Sequence, residues 1–277
     1  MRHLNRMLVI CVVAAGLAAP VHAQAPSQPA DDPDMDINFA QPDFTLVALP
    51  TTLRLPRHKS AFRVTHRFTR PLGAGDFGNL LEDFFGLDSG AQIGLEYRFG
   101  LFRGTQVGIH RTSTRVIEFF ARHEIKGQSE SFPFTLAAHA SIDGTNNFRD
   151  SYSPALGVLL SRTIAEHVAL YVEPVWVNNS NLDPSELADH NDSALVGLGA
   201  RIRIRPTVYL AFEGAPRVAG HDPGSTQLSF GLEKRSGGHM FQLTITNGFG
   251  TTFGQIARGA SNTDDWHLGF SISRKFY

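Results

Sequence analysis

Residues 91–99 read AQIGLEYRF. Ala91, Ile93, Leu95, Tyr97 and Phe99 fall on one face, and Gln92, Gly94, Glu96 and Arg98 on the other. A side-chain period of two is the signature of a strand with one apolar and one polar surface. The same alternation recurs in AFRVTHRF (61–68), FPFTLAAHASI (132–142), SALVGLGARIRI (193–204), TQLSFGLEK (226–234) and WHLGFSISRKF (266–276). In HVALYVEPVWV (167–177) both faces are apolar, which leaves its facing open. Pro174 there predicts an interrupted ladder, because proline brings no N–H.

Carried along the chain, the pattern predicts twelve strands, at 60–69, 91–99, 104–112, 115–125, 132–142, 152–162, 166–177, 194–204, 207–214, 225–234, 239–247 and 265–276. Most are near the 9 to 11 residues that a tilted strand needs to cross a bilayer. The connections supply a separate test. Those at 70–90, 143–151, 179–193, 215–225 and 248–264 are long or rich in Gly, Asn and Asp, whereas 100–104, 126–131, 163–166, 205–206 and 235–238 are short; 113–115 is the one misfit. Alternation of tight turns with long loops is the habit of outer-membrane barrels and has no counterpart in a soluble sandwich. The expected fold is all-β: a single antiparallel up-and-down transmembrane β-barrel of about twelve strands over residues 58–277. Closure explains why the last strand is so regular, since an open edge in hydrocarbon leaves backbone groups unsatisfied.

The N-terminus gives an address. Arg2, His3 and Arg6 precede the apolar MLVICVVAAGLAA and the small-residue site VHA, so residues 1–23 read as a cleaved signal peptide. The apolar run is shorter than a spanning helix requires. Cys11, the only cysteine, lies within it, and Ile10 before it departs from a lipoprotein signal. Residues 24–57 read as a flexible periplasmic arm or partial strand, because QAPSQPADDPDMD is Pro-rich and acidic. A net charge of -1 spread along the chain lacks the clustered basic face of a nucleic-acid binder.

The stretches FRVTHRF (62–68) and LLEDFFGLDSGAQIGLEYRFGLFRGTQVGIHRTSTRVIEFFARHEI (80–125) resemble an uncharacterised bacterial outer-membrane β-barrel family, catalogued as a domain of unknown function, over roughly residues 40–277. The resemblance implies the barrel and the bacterial outer membrane, and carries over no catalytic or ligand residue. The ending also resembles the C-terminal assembly signal of such proteins, read by the barrel-assembly machinery. Trp266, Leu268, Phe270, Ile272 and Phe276 share its apolar register, while Tyr277 stands one step out of phase.

The polar faces carry Arg63, Arg67, Arg98, Arg122, Arg201 and Arg203 against Glu96, Glu118, Glu124, Glu173, Glu213 and Glu233. Balanced charges in a confined lumen predict a network of bidentate Arg–carboxylate pairs. Two readings follow: a selectivity region for a small charged or sugar-like solute, or an ion-pair lattice plugging the barrel. Arg205, at a periplasmic turn, is expected in solvent. His110, His139 and His267 share the polar face, but the HxxxH and HExxH spacings of metal helices are missing. Neither metal nor cofactor is expected.

Three loop features carry weaker chemistry. Asp183, Glu186, Asp189 and Asp192 lack the ordered spacing of a calcium loop. Leu80, Leu81, Phe84 and Phe85 fit a short amphipathic helix lying as a lid on the rim or offered to a partner. His190 and Ser193 sit without a nucleophile motif around them. The sequence therefore predicts a narrow porin-like channel for small solutes among outer-membrane lipid. A non-conducting structural or interaction barrel is the alternative, and an enzyme acting on lipid comes third.

Overall fold

The computed structural model describes residues 33–182, 191–260 and 262–277. Its strands are β1 (Ser60–Pro71), β2 (Ala91–Phe102), β3 (Thr105–Thr112), β4 (Ile117–Lys126), β5 (Thr135–Gly144), β6 (Asp150–Ile164), β7 (Val168–Val177), β8 (Ser193–Arg205), β9 (Val208–Ala215), β10 (Arg217–Gly220), β11 (Gln227–Ser236), β12 (His239–Thr246) and β13 (His267–Phe276). Apart from β10, which pairs with β8, and β9, which pairs with β8 and β11, each pairs antiparallel with its sequence neighbour around the sheet, and β1 closes on β13 through Ser60↔Phe276 and Val64↔Ile272. Twelve strands make the closed wall. The short β10 adds no wall position, because it resumes the β9 track along β8 beyond Pro216, where Val196 N–H donates to the Pro216 carbonyl at 2.9 Å.

The apolar faces point outward, as the alternation requires. Leu95, Phe119, Leu156, Leu170, Leu198, Phe230, Leu243 and Ile272 are all exposed to the surroundings. Such a belt around the wall is stable only against lipid. Opposite Pro174 the β6–β7 pairing skips Val158 and Leu159 and then resumes in the same register, which is the interruption expected from a missing donor. The long connections shrink at one place: residues 143–151 reduce to a five-residue turn at 145–149, because β5 and β6 run further than their alternation suggests.

The largest departure concerns the expected arm at 24–57, of which 24–32 lie outside the described residues. Residues 40–56 are packed inside the barrel rather than projecting as an arm, with Phe44, Leu46, Val47, Leu49 and Leu55 no more than 2% exposed. The segment folds into a hairpin joined by a Thr45↔Pro50 bridge, with Leu46 N–H donating to the Leu49 carbonyl and Thr51 N–H to that of Phe44, both at 2.8 Å. Its apolar side chains drive this placement, since the ten residues 44–53 carry no charge and would otherwise face water. The lumen also has an apolar arc to receive them: Ala137, Ala155, Leu159, Ala169, Tyr171, Val175, Leu195 and Ala211 point inward. That settles the facing of 167–177, where Tyr171 and Val175 meet the segment while Leu170 and Trp176 face outward.

A second insertion comes from the connection between β12 and β13. Its short helix α1 (Phe253–Ala257) buries Phe253, Ile256 and Ala257 in the same apolar cluster as Leu46 and Leu49. The two insertions meet inside the barrel.

Candidate functional site

The site is the contact between the barrel wall and the two inserted pieces. Close approach comes first. A Cβ at Gly199 would lie 2.3 Å from Leu46 Cδ1, and one at Gly197 would lie 3.0 Å from Leu49 Cδ1. The glycines of β8 therefore make room for the hairpin's two leucines, a common reason for glycine inside a strand.

The charged arc grips the hairpin's main chain. The Glu213 carboxylate accepts the N–H groups of Val47, Ala48 and Leu49 at 2.9–3.0 Å, a nest of consecutive donors around one anion. Arg201 donates to the Thr45 carbonyl at 2.7 Å, Arg63 to that of Val47 at 3.2 Å, and Gln242 to that of Leu46 at 2.7 Å. Lower down, Gln106 and Arg122 both donate to the Leu53 carbonyl. Side-chain contacts are fewer. Arg63 and Ser273 reach Asp43, Arg98 reaches the Thr45 hydroxyl, and the hydroxyls of Thr52 and Ser161 lie 2.5 Å apart.

These contacts correct the expected charge lattice. Between wall residues, Arg201 pairs with Glu233 in bidentate fashion at 2.8 and 2.9 Å, and Arg98 pairs with Glu96. Arg203 reaches Glu166 in a turn at 3.4 Å and lies over the Phe39 ring, while Glu124 takes Arg54 of the inserted segment at 3.2 Å. Arg67 and Arg122 pair with no carboxylate among the described residues; Arg67 instead donates to the Gly248 and Gly250 carbonyls at 3.0 and 2.7 Å. Carbonyls of buried, irregular backbone need donors just as carboxylates do, and they compete for the same guanidinium groups. Glu173 is fully buried, with both carboxylate oxygens lacking a hydrogen-bond partner among the described residues. Arg205 is exposed, as expected at its turn.

The remaining sequence candidates scatter. Glu118 lies with His139, Phe120 and Arg98 around a cavity of about 20 Å³ between the hairpin tip and the β12–β13 loop. His139 stacks on Phe120, His267 packs on Phe249, and His110 is buried directly opposite Glu118 on β4 and Glu96 on β2. Among the described residues no group of three potential metal-ligating side chains comes together. Asp192 accepts hydrogen bonds from Trp176 and Asn178, whereas Asp183, Glu186, Asp189 and His190 lie outside the described residues. Ser193 is buried against Ser180 at 2.9 Å. The short rim helix Phe77–Glu82 is capped by Asp76, but Leu81, Phe84 and Phe85 are exposed rather than packed as a lid.

Sequence reasoning missed the hairpin and the β12–β13 loop as filling for the lumen. The chain end explains itself here. Leu268, Phe270, Ile272 and Phe276 lie on the outward register, Trp266 stands just before β13, and Tyr277 turns the other way to pack beside Phe44, Leu55 and Ala61. Burial there pushes the Tyr277 phenol pKa up.

A family model described as a membrane bound beta barrel domain (DUF5777) matches residues 43–276. The chain belongs to this family. The match begins at Asp43, so the family's domain includes the inserted hairpin as well as the wall. No curated protein matches the sequence. Among solved structures, the KdgM porin in complex with disordered oligogalacturonate is similar at a TM-score of 0.52 and 8% identity, covering 78% of this chain and 99% of that one. The NanC porin gives 0.52 and 9%, covering 79% and 99%, and an outer membrane channel from Pseudomonas putida F1 gives 0.51 and 12%, covering 80% and 97%. At these identities the likeness is one of fold. The chain is a membrane-bound twelve-stranded barrel, built like porins and channels.

Proposed function

We propose that this barrel is an outer-membrane channel for small solutes, held shut by residues 40–56. The observation that carries the reading is the way the hairpin is held: most wall contacts are hydrogen bonds to its main chain, and no strand of the wall depends on pairing with it. The segment can therefore leave through the periplasmic end, where the exposed Arg57 and His58 join it to β1, without opening the barrel. Its departure would bare Arg63, Arg98 and Arg122 on β1, β2 and β4, and across the lumen Glu173, Arg201 and Glu213 on the adjacent strands β7, β8 and β9, a charged wall suited to selecting solutes. Glu173 supports a reversible state, since an unpartnered buried carboxylate is costly and regains water when Leu49 withdraws.

Residues 1–23 as export signal and the last strand as the feature handed to the assembly machinery complete this reading. A second reading has its own support. The Arg201–Glu233 pair and the shared apolar cluster favour a permanently filled, non-conducting barrel. Single-channel recording of the folded full-length protein in planar bilayers separates them. The gated channel gives discrete openings from a mostly closed baseline. A properly inserted barrel that never conducts contradicts the channel and leaves the structural barrel.

A further inference from the structure

We propose that the lumen is a binding site for a turn-forming peptide, the hairpin occupying it as a built-in ligand. This deepens the channel reading and rests on it, because the segment must leave before another chain enters.

The argument lies in which atoms the wall addresses. Between residues 45 and 53 it reaches three N–H groups through Glu213 and four carbonyls through Arg201, Arg63, Gln242 and Gln106 with Arg122. A carboxylate receiving three consecutive N–H groups matches an amide chain. A saccharide offers hydroxyls but no such row of fixed donors. The side chains, by contrast, meet surfaces that demand little shape: Leu46 and Leu49 lie over glycines, and the rest of the receiving arc is largely Ala, Val and Leu. Binding through the main chain of a turn, with permissive side-chain contacts, recognises a backbone shape more than a particular sequence. Both signs of side chain are taken: Asp43 pairs with Arg63 at 3.3 Å, and Arg54 with Glu124 at 3.2 Å.

The test uses the full chain with a specific protease site inserted between the exposed Arg57 and His58, so that the barrel folds with its segment and is cut afterwards. Three labelled peptides are then offered. The first has the sequence of residues 38–55. The second keeps Asp43 and Pro50 and shuffles the other residues of 44–53. The third is the native sequence N-methylated at Val47, Ala48 and Leu49. Binding is read by fluorescence anisotropy and displacement of the cut segment by intact mass.

Main-chain recognition predicts that the shuffled peptide binds within about tenfold of the native one. The N-methylated peptide should be weaker by about 30-fold or more, as loss of hydrogen bonds to a charged acceptor implies. A native peptide that binds while the shuffled one fails overturns the proposal and makes the segment a dedicated plug. Failure of all three to bind or to displace the cut segment overturns it as well. Conductance measured on the same cut barrel keeps the two readings apart. A conducting barrel that takes no peptide loses only the peptide site, and a silent barrel that takes peptide loses only the channel.

Discussion

Arg201→Met should destabilise the folded barrel by about 3–5 kcal/mol, the cost of removing one partner from a buried ion pair. Both side chains of the Arg201–Glu233 pair are wholly enclosed, so Glu233 would be left charged with only the Gln242 amide, 2.8 Å away, to answer it. The same change takes the donor from the Thr45 carbonyl and loosens the hairpin. Adding Glu233→Gln should recover much of the loss, because the stranded charge is then gone. Equilibrium urea unfolding in lipid vesicles measures both variants. A loss under about 1 kcal/mol for Arg201→Met would mean that the pair is solvated and the lumen open, as for exposed ion pairs.

Glu213→Gln should free the tip of the hairpin while the wall stays folded. The carboxylate holds three N–H groups at 2.9–3.0 Å, and an amide keeps one acceptor oxygen but turns an NH₂ toward donors. With hydrogen bonds to charged groups contributing about 1.5–3 kcal/mol, the released fraction should rise about 10–100-fold. Hydrogen exchange reads this directly: the amides of Val47, Ala48 and Leu49 should lose protection by that factor, while β-strand amides keep theirs. Unchanged exchange at those three positions would remove Glu213 from the latch.

The barrel was legible because a strand between lipid and lumen has no freedom in its pattern. Each apolar side chain of AQIGLEYRF must point outward, and a shift of one residue would invert all of them. The same logic placed Arg63, Arg67, Glu96, Arg98, Glu118, Arg122, Glu173, Arg201, Arg203 and Glu213 on the inner face. What those residues touch was not legible, since charges of opposite sign at similar depth look like partners whatever lies between them. Glu213 answers amides more than 160 residues earlier in the chain, and nothing local announces that. The hairpin left one signal: ten uncharged residues at 44–53, interrupted by Pro50, ahead of the first clear strand. A solvated arm has no use for such a run. Tyr277, out of phase with the lipid-facing register, was a second trace, because a residue turned inward at the barrel base needs something there to touch.

The most direct measurement is a reversible lock on the hairpin. Thr52 and Ser161 hydroxyls stand 2.5 Å apart, so Thr52→Cys with Ser161→Cys places two thiols within bonding reach, in a chain whose only other cysteine is Cys11. Single-channel currents are recorded from the folded double variant while oxidised, and again after reduction. The account predicts near-complete cross-linking, silence when oxidised, and discrete openings when reduced. A pair that fails to cross-link, or openings that persist with the disulfide closed, would contradict it.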